Sequence, residues 1–76
     1  MSGLKLISGK DCIKILCNKF GFKEVRQKGS HVVLRKEISD RKIVTVVPKH
    51  PELKLPTLKS ALKLAEVEIE DFSKYL

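Results

Sequence analysis

Two stripes of apolar residues at helical spacing bracket a β-rich middle, and that order leaves few folds open. Ile13, Leu16, Cys17 and Phe20 recur at i, i+3, i+4 and i+7, which lines one face of a helix. Leu58, Ala61, Leu62 and Ala65 repeat the stripe near the other end. Between them, Ser30 to Lys36 carries Val32, Val33 and Leu34, and Arg41 to Val47 carries Ile43, Val44, Val46 and Val47. Such runs favour extended backbone. Phe22 to Lys28 is more polar and suits a sheet edge, where its charges resist pairing with another chain. Both helical stripes need a surface to bury against, and one face of a three-stranded antiparallel sheet serves both. Residues 41–47 are apolar on both faces in part, so alternation leaves open which face meets the helices.

Local punctuation places the element ends. Ser8 is suited to cap the first helix, with Asp11 at the capping-box position near the positive helix end. Gly21 releases that helix through the left-handed region. Gly29 separates the first two strands as a turn or bulge, and Glu37 to Asp40 reads as a hairpin connection. Pro48 ends the third strand, Pro48 to Pro56 forms a loop, and Thr57 is the cap candidate for the second helix. Val67, Ile69, Phe72 and Leu76 are anchors for a last short helix, while Leu4, Leu6 or Ile7 would pin the lead-in. The expectation is an α+β, α-β-β-β-α chain with a three-stranded antiparallel sheet and a short C-terminal helix. At 76 residues and 8.6 kDa, it has room for one small core and so one domain over 1–76, without a deep cofactor pocket.

Charge narrows the partners. The chain holds 16 Lys plus Arg against 9 Asp plus Glu, a net +7. Residues 1–65 contain 15 of the basic and only 5 of the acidic side chains, which concentrates the positive field ahead of an acidic tail. Such a field favours a polyanion, RNA or DNA first; a solubilising lysine surface is the plain alternative. Cys12 and Cys17 lack metal-site spacing, and with two histidines no four-ligand zinc cluster forms. No cofactor and no metal are expected. No apolar run reaches the roughly 18–20 residues of a membrane span, no signal-peptide pattern follows the start, and a reducing, cytoplasmic setting is the default expectation.

His31 is the most informative single residue. If Val32 and Leu34 point inward, His31, Val33 and Arg35 point outward. An exposed imidazole takes or gives a proton at neutral pH, and Lys28 and Arg35 would supply charge for a phosphate. Lys28, Gly29 and Ser30 also resemble a small anion cradle, although the Walker frame is absent. Ser30 is a poor nucleophile candidate because its neighbour His31 faces the other way. Lys49, His50, Lys54 and Lys59 are candidates for phosphate contacts, together with a helix start at Thr57; a structural loop with a locally bonded His50 is the equal alternative.

Ser8-Gly9-Lys10-Asp11, Phe20-Gly21-Phe22 and Arg26-Gln27-Lys28-Gly29-Ser30-His31, in this order, resemble the HicA/YcfA-like toxins of prokaryotic toxin–antitoxin pairs. Val47-Pro48-Lys49-His50, Glu52-Leu53-Lys54, Thr57-Leu58 and Glu70-Asp71-Phe72 match the family's later segments, so the resemblance spans roughly residues 6 to 73. Pro56 stands where that family usually has a glycine, and a glycine common near Glu66 is missing. The resemblance implies a double-stranded-RNA-binding-like fold and a ribonuclease that cleaves messenger RNA, with His31 as the catalytic residue. It also implies silencing by a small HicB-like antitoxin. The mechanism expected is metal-independent, with neutral His31 as general base and Lys28 or Arg35 stabilising the phosphoryl charge. The alternatives are an RNA-binding module without chemistry and a small basic domain that docks an acidic protein.

Overall fold

The computed structural model describes residues 7–76. Its elements run α1 (Gly9–Lys19), β1 (Lys23–Lys28), β2 (His31–Ile38), β3 (Arg41–Pro48), α2 (Leu55–Ala65) and α3 (Ile69–Ser73). The strands form one antiparallel sheet in the order β1-β2-β3. This is the α-β-β-β-α arrangement with a short C-terminal helix that the sequence pattern implies.

Helix α1 starts as its sequence requires. The Asp11 amide donates to Ser8 Oγ at 3.0 Å, satisfying one of the free N–H groups of the first turn. At the other end Gly21 takes φ +81°, and the Phe22 amide turns back onto the Leu16 carbonyl at 3.2 Å. Phe22 is thereby buried against the core. The buried face of α1 is Cys12, Ile13 and Leu16, while Cys17 and Phe20 are half-buried. The helix is therefore rotated towards Cys12 relative to the stripe read from spacing. The same core cluster takes in Leu58, Ala61, Leu62 and Ala65 of α2, with Val32, Leu34, Ile43 and Val47 of the sheet.

Strand β3 resolves its own ambiguity through Thr45. Ile43, Thr45 and Val47 face the helices, and Val44 and Val46 stay exposed on the open face. A buried hydroxyl is costly unless it is bonded, and Thr45 Oγ1 donates to the Ala61 carbonyl of α2 at 2.7 Å. The same bond ties sheet to helix.

Several boundaries differ from expectation. β2 continues to Ile38, so the hairpin to β3 is only Ser39-Asp40, with Ser39 at φ +52°. α2 begins at Leu55 after Lys54, not at Thr57, because Pro56 sits in the first turn, where its missing N–H and fixed φ suit a helix start. Thr57 is inside the helix. Among the tail anchors Phe72 is fully buried and Val67 and Ile69 pack on the core, but Leu76 is 44% exposed. Ile7 packs on the core and its carbonyl accepts from the Leu53 amide at 2.7 Å; Leu4 and Leu6 lie outside the described residues.

Two features of this fold generate predictions. Glu66 ends α2 in the left-handed region (φ 58°, ψ 39°), near where the family has glycine, and its carboxylate accepts from Arg41 at 2.7 Å. Both partners are more than half exposed, so the pair adds little, whereas the backbone conformation costs a non-glycine residue about 1 kcal/mol. Glu66→Gly is expected to be more stable than Glu66→Ala by roughly 1 kcal/mol, measured by urea unfolding. Burial pushes the Cys12 thiol up from its ordinary value of 9.0 to about 12. The folded protein holds that proton more firmly than the unfolded chain. Stability from this group is therefore complete below pH 9 and falls as pH climbs from 9 towards 12, and Cys12 is expected to resist alkylation at pH 8 until the protein unfolds.

Candidate nucleic-acid interface and proton-transfer site

One corner of the sheet gathers six of the nine residues singled out from the sequence. Gly29-Ser30 forms the two-residue turn between β1 and β2, with Gly29 at φ +59°, as a primed hairpin turn demands of its first central residue. A Cβ at Gly29 would meet nothing within 4 Å, so the turn tip is open to solvent. The turn is braced by Gln27 Nε2, which donates to the Gly29 carbonyl at 2.9 Å. Lys28 and His31 are direct cross-strand partners, so their side chains leave the same face side by side. His31 is exposed, on the face opposite buried Val32 and Leu34. The outward placement of this imidazole is as the alternation of β2 required.

The end of β3 closes onto this turn. Pro48 is the register partner of His31. One residue on, the Lys49 amide donates to the Ser30 carbonyl at 2.6 Å, and the Gly9 amide donates to the His50 carbonyl at 2.8 Å. Three segments distant in sequence are thus joined by main-chain bonds: the first turn of α1, the β1–β2 turn, and the start of the loop before α2. The joint depends on Gly9 having no side chain. A Cβ there would overlap the Pro48 carbonyl oxygen and stand 2.8 Å from its carbon and 2.9 Å from Lys49 Cα. Lys28, Gly29, Ser30, His31, Lys49 and His50 are the residues brought together.

Arg35, Lys54 and Lys59 are not. Arg35 shares the open face of β2 but lies four residues along from His31, about 13 Å at strand rise. It approaches Glu37 at 3.9 Å and lines a separate pocket of about 240 Å³ with Gly21, Lys23, Val25, Lys36 and Glu37. The expected flanking of His31 by Arg35 is corrected accordingly. Arg26 takes that place, being the cross-strand partner of Val33 on the row next to His31. Lys59 lines a pocket on the helical side with Leu62, Lys63, Val67, Glu68 and Ile69, and Lys54 precedes α2 without a side-chain cap bond. Because Pro56 occupies the first turn of α2, the phosphate site imagined at Thr57 is not a helix start and has lost one N–H donor.

Lys49 reveals a surface the sequence reading overlooked. It lines a groove of about 250 Å³ beside α1 with Lys10, Ile13, Lys14, Cys17 and Glu24. Lys10 and Lys14 stand at i and i+4 on the exposed side of the helix, a spacing that was visible all along as a basic ridge. Burial, and then the charge of Glu24, push the Cys17 thiol up, so this part of the groove floor stays uncharged. The positive surface therefore wraps from the hairpin turn around Lys49 to the flank of α1. No group of three His, Cys, Asp or Glu side chains among the described residues is placed to hold a metal ion, and no helix among them is long and apolar enough to cross a membrane.

The family described as "HicA toxin of bacterial toxin-antitoxin" matches residues 9–67. This span begins at the Gly9 contact and ends just after the left-handed Glu66, covering both helices of the main layer and the whole sheet. The chain belongs to that family. Comparison with curated proteins and with solved structures gave no match.

Gly9 offers a direct test of the joint. Alanine is the better helix former by about 1 kcal/mol, but here its methyl meets backbone that has no rotamer to move. Gly9→Ala is expected to destabilise the protein by roughly 1–3 kcal/mol in urea unfolding, and to speed hydrogen exchange at the Lys49 amide.

Proposed function

We propose that this protein is an RNA-cleaving toxin of a two-component toxin–antitoxin pair, acting in the cytoplasm on messenger RNA in single-stranded regions. The reading is carried by one observation. His31 is an exposed imidazole placed beside Lys28 across a two-residue turn, in a net-positive chain of the HicA toxin family. Neutral His31 removes the proton of an RNA 2′-hydroxyl, and the resulting oxygen attacks the adjacent phosphorus. Lys28 steadies the negative charge that grows on the phosphoryl oxygens, and the open Gly29-Ser30 turn gives the phosphate access. Lys10, Lys14 and Lys49 hold the neighbouring backbone by charge. No step in this scheme passes through a metal ion. A HicB-like protein is the silencing partner that family membership suggests.

A second reading, RNA binding without chemistry, draws on the same groove beside α1, which lies apart from His31 and would hold RNA in its absence. The two are separated by one substitution. His31→Ala is expected to fold as the parent does, because the ring is exposed, and to retain labelled RNA. Its cleavage rate in EDTA-containing buffer is expected to fall by about 10²–10⁴-fold, and its induced expression should no longer arrest growth or fragment mRNA. Equal cleavage by the two purified proteins would rule out His31 as the base. Retention of RNA by both without products would leave the binding module.

A further inference from the structure

A base alone does not complete the reaction. As the 2′-oxygen bonds to phosphorus, the bond from phosphorus to the 5′-oxygen breaks, and the departing alkoxide needs a proton. We propose that His50 is the general acid that supplies it. This inference rests on the RNA-cleavage reading above and names the second proton-transfer residue of the same site.

The placement comes from the chain trace. His31 lies opposite Pro48, and His50 is two residues beyond Pro48. One antiparallel step of about 5 Å and two residues of chain, at most about 7 Å, keep the two Cα atoms within roughly 12 Å of each other. They stand on different segments, β2 and the loop after β3. An in-line displacement needs its base and acid on opposite sides of one phosphorus, so two imidazoles from separate segments suit it better than two in contact.

His50 is also held as a proton donor should be. Pro48 and Pro51 restrict the backbone on either side. The Gly9 amide pins the His50 carbonyl at 2.8 Å, and Lys49 is fixed to Ser30 at 2.6 Å. The side chain itself is exposed and accepts or donates no hydrogen bond among the described residues. The main chain carries the structural role and leaves the imidazole for other work. Lys28 and Lys49 flank the same corner, but an imidazolium is the side-chain cation that gives up its proton readily near neutrality.

The step balances. The 2′-hydroxyl proton passes to His31, the O2′–P bond forms, and the P–O5′ bond breaks with its electron pair on oxygen. The His50 imidazolium proton then converts that oxygen to a 5′-hydroxyl, leaving a 2′,3′-cyclic phosphate. Exchange with water returns both rings to their starting states.

The test uses a short RNA containing a site the wild-type protein cuts, and the same RNA with sulfur in place of the bridging 5′-oxygen at that site. A thiolate leaves without a proton, so only the oxygen substrate needs an acid. His50→Ala and His50→Gln are expected to cut the oxygen RNA at least about 100-fold more slowly than wild type and the sulfur RNA within about tenfold of it. His31→Ala is expected to lose both. The ratio of the two rates on one protein sample is independent of how much of it is folded, so a weakened variant still reports. Equal losses on both substrates, or no loss on oxygen, would overturn the assignment of His50 while leaving the nuclease intact. Failure of the wild-type protein to cut mRNA at any site from which such a substrate could be made, or a His31→Ala protein that cuts both RNAs normally, would overturn the nuclease reading and this inference with it.

Discussion

The first turn of α1 meets the end of β3 with no side chain between them, and the candidate site depends on that close approach. Gly9 meets the Pro48 carbonyl so tightly that a single added carbon would overlap it. That proximity lets the Gly9 amide reach the His50 carbonyl, and it holds Lys49 where it bonds to Ser30. Main-chain bonds of this kind define position more firmly than side-chain contacts, because neither partner has rotamers to lose. A flexible basic chain would bind RNA by charge alone. Fixing the hairpin turn against the loop after β3 turns the same charges into a site with geometry.

The rest of the core acts as the platform for that corner. Both main helices lie on one face of the sheet, and the opposite face is left to solvent with His31, Arg26 and Lys28 along one end. Thr45 is the exception within the apolar layer, and its bond to Ala61 satisfies the hydroxyl that β3 turns inward between Ile43 and Val47. A bonded hydroxyl joins the sheet to α2 without leaving an unsatisfied group. The two valines displaced to the open face are 45% and 37% exposed.

The proposed function gives this surface two tasks. The flank of α1 is a groove in which Lys10, Lys14 and Lys49 outnumber the one acidic lining residue, Glu24, with Ile13 and Cys17 between them. Such a surface attracts a phosphate backbone without reading its sequence. The hairpin corner has an open turn and two exposed imidazoles that make no side-chain hydrogen bond among the described residues. Arg35 and Lys59 line other pockets, one farther along β2 and one on the helical side.

What could be read along the chain was whatever repeats locally. The stripes of both helices, the Ser8 cap, the valine-rich strands and the Gly29 turn each carry their cause within a few residues, since helix and strand periods are properties of neighbouring positions. The outward placement of His31 followed from the same alternation. The misplaced start of α2 came from treating Pro56 as the end of a loop, when a proline in a first helical turn is equally at home. Everything that depends on distant residues meeting had no local sign. Nothing near Gly9 announces that it must touch Pro48, and nothing near His50 that it shares a corner with His31. Those relations are decided by how the helices settle onto the sheet, because burying both apolar stripes on one face is the global requirement and the corner is where that packing brings the chain back upon itself.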